Sequence, residues 1–362
     1  MTSVAGPKRV AVVLCNLGGP DSLKAVRPFL FNLFNDPAIL EYPAPVRLAL
    51  ATLISTTRAP SARKNYAVMG GSSPLLQETG AQARELAARL SEAQVDARVF
   101  IAMRYWRPSF AATARAVESF APDEVVILPL YPQFAAATTA SAMDAWADTY
   151  RGSGRVKTIC CYPDDPGLVE AHARRIEQTY VAAGKPVEVR ILFSAHGLPE
   201  KSVAGGDPYQ WQIERTCAAV AERLKAGPCA GLDWQICYQS RVGPLKWLGP
   251  YTAEAIESAA HEGLGVLISP IAFVSEHVET LVELDRDYAE TAEGAGCPIY
   301  LRAPALGVEP TFIDGLAALV MKRLDDDKGV ESGCGGRICP VDRSRCPAAS
   351  ASDARPVLAQ AS

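Results

Sequence analysis

Short apolar runs alternate with long mixed stretches along this chain, and that alternation predicts the strands and helices of a parallel α/β fold. Residues 9–17 form an apolar run stopped by Gly18-Gly19-Pro20. Residues 75–93, rich in Ala, Leu, Glu and Arg, read as a helix, and 95–103 as the next strand. A third strand at 124–129 is ended by Leu130-Tyr131-Pro132-Gln133. The second half repeats the grammar. Residues 187–193 run into a loop at His196, 234–238 precede Gln239-Ser240-Arg241-Val242-Gly243-Pro244, and 265–270 lead through Ile271-Ala272-Phe273 into a helix. The strand–Pro–turn–helix units at Val125 and Val266 take equivalent places in two similar Rossmann-like lobes, joined in the polar stretch 151–157. The expected division is a lobe at 1–153 with an apolar lip at about 40–60, a lobe at 154–327, and a cysteine-rich tail at 328–362. Sites in such folds lie outside the carboxyl ends of the strands. Two facing lobes leave a cleft there.

With 362 residues the chain has room for one large or two ordinary domains. A formal net charge of −4, with no face rich in Lys or Arg, leaves no footprint for nucleic acid. Residues 1–9 are short and lead into a strand, so no signal peptide is expected, and no apolar stretch approaches the ~20 residues of a spanning helix. A cytoplasmic protein is expected, its ten cysteines reduced or bound to metal.

Of the four histidines, His172 and His261 lie on charged helical stretches and are expected to be solvated. His196 follows a strand in Phe193-Ser194-Ala195-His196-Gly197-Leu198-Pro199, where a backbone-bonded loop histidine is the ordinary alternative to a catalytic one. A second segment shifts that balance. Ser275 is placed to cap a helix that begins Glu276-His277-Val278-Glu279-Thr280. At about 100° per residue, Glu276, Glu279, Glu283 and Asp287 share one face within a sector of about 80°. A solvated acidic face is the ordinary reading of that pattern. The helix nevertheless follows a strand's carboxyl end, so its first turn should face the cleft. Carboxylates stacked with a histidine suit a loosely held, partly hydrated divalent cation, and equally a path for protons.

Seven motifs in order then carry a resemblance. They are Leu14-Cys15-Asn16-Leu17-Gly18-Gly19-Pro20; Gly70-Gly71-Ser72-Ser73-Pro74; Arg104-Tyr105; Leu130 to Phe134 with Thr138-Thr139; Phe193 to Pro199; Gln239 to Pro244 with Trp247-Leu248-Gly249-Pro250; and Pro270 to Leu284. Over roughly residues 9–324 the chain resembles the ferrochelatase family. The resemblance implies an enzyme of haem synthesis that inserts its substrate Fe2+ into protoporphyrin IX, releasing two protons. It makes His196 and Glu279 the catalytic pair, with His196 metal ligand, proton acceptor or both. His277 stands beside Glu279, and Glu276, Glu283 and Asp287 continue a path for metal or protons. Arg58, Ser73, Arg104, Tyr105, Tyr238 and Trp247 fall on the porphyrin wall.

Coproporphyrin as substrate, or a related chelatase loading cobalt or nickel into another tetrapyrrole, are the alternatives within that class. Outside it stands a two-lobed haem binder without turnover, which would want one strong axial ligand in place of a row of carboxylates. The apolar residues 40–54, flanked by Arg47 and Arg58, read ordinarily as an amphipathic core helix. The resemblance makes them a lip that admits the ring and rests peripherally on the membrane surface. The family contains dimers and monomers, so a homodimer is one of two assemblies expected.

Past the last core helix, Cys334, Cys339 and Cys346 form C-x4-C-x6-C among Gly, Pro and Arg, with no periodicity to order the segment without a ligand. Three cytosolic thiolates more often bind metal than form disulfides. Some ferrochelatases hold a [2Fe–2S] cluster with three C-terminal cysteines and one internal one. Here the tail spacing is wider than in the animal pattern and Ala171 stands at the internal position, so Cys161, or next Cys160, is expected to substitute. A structural zinc is the alternative.

Overall fold

The computed structural model describes residues 8–349. Its elements run β1 (Val10–Asn16), α1 (Val26–Phe34), α2 (Ala44–Val68), α3 (Leu75–Glu92), β2 (Ala97–Met103), α4 (Phe110–Phe120), β3 (Glu124–Pro129), α5 (Ser141–Thr149) and β4 (Arg155–Ile159). There follow α6 (Pro166–Ala182), β5 (Val189–His196), α7 (Glu200–Ala204), α8 (Tyr209–Leu224), β6 (Trp234–Gln239), α9 (Thr252–His261) and β7 (Gly265–Pro270). The chain closes with α10 (Tyr288–Gly294), β8 (Tyr300–Arg302), α11 (Pro310–Leu324) and β9 (Val330–Glu331). Two parallel sheets result, ordered β2-β1-β3-β4-β9 and β6-β5-β7-β8, each flanked by helices.

Strand β1 is buried along its whole length, as only a central strand covered on both faces can be. Val10, Val12 and Leu14 pack with Leu86 and Leu90 of α3 and Leu316 and Val320 of α11. The alternate residues Ala11, Val13 and Cys15 pack on the other side with Phe110 and Val117 of α4 and Trp146 of α5. In the second sheet Ile191, Phe193 and Ala195 of β5 meet Ile213, Cys217 and Val220 of α8, while Leu192 meets Ile256 and Ala259 of α9.

Strand pairing moves the expected join. Arg155 of β4 stands opposite Glu124 of β3, so the first sheet runs past 153/154 and the crossover falls at α6. That helix buries Leu168 and Ala171 in the first core and Ala173, Ile176 and Tyr180 in the second. Helix α11 returns to the first sheet, and β9 adds to its edge beside β4. Of the expected tail, 350–362 lie outside the described residues; its start is paired to β4 through β9, and Cys339 and Cys346 are buried.

His172, on α6, is 2% exposed and its Nε2 has no partner, where a solvated position was expected. The charges beside it mislead because they also turn inward: Glu170 pairs with Arg223 at 2.6 Å, and Arg175 donates to the Leu306 carbonyl at 3.0 Å. Burial pushes the His172 imidazole down to about 3, so it stays neutral in the fold. An unfolded histidine takes up its proton below about pH 6.5, and the folded one does not, so stability is full above that pH and falls as pH drops toward 3. His172→Leu should relieve ~2 kcal/mol of the stability lost between neutrality and pH 5, as read by urea unfolding at both pH values. Identical losses in the two proteins would refute this.

Helix α2 buries Ala51, Ser55 and Ala59, a four-residue repeat of small side chains that lets it lie close on α1. Val46, Leu48 and Leu53 are left exposed, as is Tyr42 just before the helix. No helix among the described residues is long and apolar enough to cross a membrane.

Candidate active site

Strand β5 runs three residues further than its apolar pattern and ends on His196, which pairs in register with Gln239 of β6. The histidine is therefore a strand residue and not a loose loop residue. Its Nδ1 lies 2.6 Å from the Gly197 carbonyl, and since a carbonyl only accepts, Nδ1 carries a proton and Nε2 is the nitrogen left to meet other groups. That Nε2 stands 3.7 Å from Glu279 Oε1, and His277 Nε2 stands 3.5 Å from Glu279 Oε2. The Trp247 ring lies 6.3 Å from His196, and Phe273 lies 4.7 Å from His277. A side chain at Gly197 would come within 3.1 Å of both Trp247 and the Gln239 carbonyl, so only glycine keeps this packing.

The acidic helix starts later than expected and winds differently. Ser275 Oγ donates to Gln82 Oε1 at 3.2 Å and caps nothing. Thr280 Oγ1 instead accepts the His277 N–H at 2.9 Å, and Glu279–Asp287 is π-helical. Such wide turns gather at functional sites and leave no mark in a 3.6-residue period. The four acids consequently part ways. Glu276 Oε1 lies 2.6 Å from Arg302 Nη1 and accepts the Ala305 N–H at 2.9 Å. Burial opposes its charge, but Arg302 outweighs burial and holds the carboxyl below the usual range. Glu283 accepts from the Ser240 N–H at 2.9 Å, Tyr288 at 3.0 Å and Gln239 Nε2 at 3.1 Å, fixing a turn where Ser240 adopts φ +65°. Asp287 is exposed. Only Glu279 faces His196. Burial works against its charge too, yet the His196 charge and a hydrogen bond from His277 bring it down to about 2. Among the described residues no group of three or more His, Cys, Asp or Glu is arranged to hold a metal ion, so the expected six-residue metal path is not a preformed cage.

The porphyrin wall divides likewise. Arg58 is exposed, with its guanidinium 5.9 Å above the Phe34 ring. Ser73 accepts the Leu75 N–H at the start of α3 and packs on Gly19. Arg104 and Tyr105 both bind the buried Asp36, at 2.7 and 2.8 Å, and Tyr105 is 2% exposed. Tyr238 is 3% exposed within the second core. Tyr105 and Tyr238 therefore offer no face to a ring, contrary to expectation. Tyr66 of α2, which pattern reading missed, is raised by burial and then by the charge of Glu279. Gln82, Gln239, Phe273 and Arg302 were missed as well; of these, only Gln239 and Phe273 lay in marked motifs.

The cysteines gather in part. Cys160 and Cys161 sulfurs are 3.8 Å apart, and Gln212 Nε2 lies 3.2 Å from Cys339 Sγ. The thiols of Cys161 and Cys346 point to Cys339, favouring its thiolate while their own acidity falls. Cys334 stands apart, exposed, with its sulfur 2.7 Å from Asp164 Oδ1. The expected set is thus split: both internal cysteines join Cys339 and Cys346, and Cys334 does not.

Two parallel-sheet lobes with a histidine–carboxylate–histidine row at the strand ends define a chelatase-like α/β protein. A multidomain protein of Deinococcus radiodurans, described as structurally similar to chelatases, shares the fold with a TM-score of 0.52 over 93% of this chain and 59% of its own, at 13% identity. The profile of the Ferrochelatase family matches residues 9–324. Ferrochelatase of Caulobacter vibrioides is 58% identical over 94% of this chain and 97% of its own, and that of Phenylobacterium zucineum is 57% identical over 93% and 97%. The chain belongs to the ferrochelatase family, porphyrin metal chelatases of the lyase class.

Proposed function

We infer that the chain inserts ferrous iron into protoporphyrin IX, with His196 taking the pyrrole protons and Glu279, backed by His277, receiving the metal. The observation that carries this reading is His196 Nε2 facing, at 3.7 Å, a Glu279 carboxylate held in its charged form. A flat porphyrin keeps its nitrogens in plane, two of them protonated, and offers the ion no lone pair. Binding energy from the ring edge can hold the ring bent, exposing a nitrogen. Two protons then leave, and a neutral imidazole is the natural base near neutrality. A ring face needs about 3.5–4 Å to each side chain, so it does not fit between His196 and Glu279 as they stand. Glu279 withdraws as the ring enters, and the iron sheds its waters stepwise onto it.

The exposed Val46, Leu48 and Leu53 favour the less charged edge of protoporphyrin over coproporphyrin. With Arg47, Arg58, Arg63 and Lys64 on the same helix, these exposed apolar residues suit resting on a membrane surface. The test is anaerobic mixing with ferrous iron and either porphyrin, followed in the visible spectrum. Catalytic metalloporphyrin formation from protoporphyrin is expected, and turnover of coproporphyrin alone would move the assignment to that substrate.

The resemblance also implies a [2Fe–2S] cluster, and although no group of three or more donors among the described residues is arranged as a metal site, four thiols of suitable chemistry are drawn together. Cys160, Cys161, Cys339 and Cys346 would hold it, with the buried Gln212 amide donating to the Cys339 sulfur. When bound, such a group supplies a one-electron redox centre. Cys334→Ser is expected to keep the visible absorption, iron and sulfide of freshly purified protein, and Cys339→Ser to lose all three. Loss in Cys334→Ser would restore that residue to the ligand set; zinc content without colour would favour a zinc site.

A further inference from the structure

Helix α3 belongs to the first lobe, yet its side chain Gln82 is wholly buried against the second. Its Nε2 donates to the Val274 carbonyl at 2.9 Å and to the Gly307 carbonyl at 3.0 Å, and its Oε1 accepts from Ser275 Oγ at 3.2 Å. All three bonds a primary amide makes most readily are used, and all three go to the other lobe. Val274 and Ser275 lead directly into Glu276, His277 and Glu279. The Gly307 N–H donates to the Val274 carbonyl at 2.9 Å, so one amide staples two neighbouring loops that are already joined.

Gln82 is itself rigidly held. One helical turn earlier, Thr79 is fully buried and accepts from Asn16 Nδ2 at 3.0 Å, tying α3 to the carboxyl end of β1. The same helix opens at Ser73-Pro74, on the first lobe's side of the cleft. Rigid contacts therefore run from β1 through Thr79 and Gln82 to the turn that presents Glu279 to His196. The second lobe holds the far side of the same turn, Gln239 Nε2 donating to the Glu279 carbonyl at 3.1 Å, but at its entry Ser275 Oγ has no other partner and Glu276 leans away onto Arg302.

We infer that Gln82 is a positioning residue for metal insertion, a first-lobe strut that sets where the His277–Glu279 turn stands relative to His196 and the bound ring. This rests on the assignment of Glu279 as the metal-receiving group. A misplacement of about 1 Å at a reacting group costs on the order of 10²-fold, although Gln82 touches neither substrate.

The test is steady-state kinetics with ferrous iron and protoporphyrin on Gln82→Met, which keeps length and volume but loses the hydrogen bonds, alongside Ser275→Ala and Arg89→Ala. Arg89 lies on the outer side of α3, paired with Asp314 at 2.6 Å, and its variant should keep wild-type kinetics. Gln82→Met should fold, lose about 10- to 100-fold in kcat, and retain its protoporphyrin affinity by fluorescence quenching. Ser275→Ala, which removes one bond of three, should fall between. Wild-type kcat in folded Gln82→Met would overturn the proposal, as would equal losses in kcat and ring affinity, which mark general loosening. If Glu279→Gln were fully active while Gln82→Met was impaired, the underlying assignment would fail and the strut would not.

Discussion

His196→Ala is expected to lose about 10²- to 10⁴-fold in kcat for iron insertion while still binding protoporphyrin. The argument is one of proton inventory. Insertion expels two pyrrole protons, and His196 Nε2 is the imidazole nitrogen placed to exchange them, since Nδ1 is engaged by its 2.6 Å bond to the Gly197 carbonyl. Glu279 is a poor substitute, because an ordinary carboxylate accepts a proton only weakly near neutrality. His277 cannot substitute without giving up its contact with Glu279 at 3.5 Å. Stopped-flow spectra with preloaded porphyrin isolate the insertion step from ring entry. Exogenous imidazole should restore part of the rate by filling the vacated volume beside Trp247. His261→Ala, altered at an exposed end of α9, should be silent. Full activity of His196→Ala would remove the histidine from the reaction.

The strands were legible because each is a short apolar run between Gly, Pro and helix, and the carboxyl-end rule then put the motifs in one cleft. Three features were not legible, each for a physical reason. The join was misplaced because β4, Arg155–Ile159, is half polar in sequence, and its place beside β3 depends on tertiary pairing. The acidic row was read as one face because a 3.6-residue period was imposed on a π-helical segment. A single part-buried arginine, Arg302, forks onto Asp285 at 2.6 and 2.7 Å and takes Glu276 out of the row, and its short strand carries no motif. Tyr105, just past the end of β2, turns inward to bond the buried Asp36, and Tyr238 packs into the second core, contacts that no local pattern marks.

Glu279→Gln should preserve the shape of the site and the porphyrin affinity, yet lower kcat/KM for ferrous iron by about 10²- to 10³-fold, the usual effect of removing one preorganised electrostatic group. The carboxylate is charged despite burial because two imidazoles stand at 3.5 and 3.7 Å, so the amide variant loses an anion and leaves both rings facing a neutral group. A divalent ion entering beside two histidines then meets no compensating charge, and dehydration loses its driving force. Neighbouring acids supply the contrast. Glu283→Gln should disturb the Gln239–Ser240 turn, and through the Gln239–His196 pairing weaken the site as a whole. Glu276→Gln should destabilise the fold more than the reaction, since it removes one partner of the part-buried Arg302, which keeps its pairing with Asp285. Metal titrations of Glu279→Gln at saturating porphyrin, set against thermal unfolding of Glu276→Gln, separate the two cases. An iron dependence in Glu279→Gln equal to wild type would mean that His196 alone receives the metal and that the carboxylate serves only to orient it.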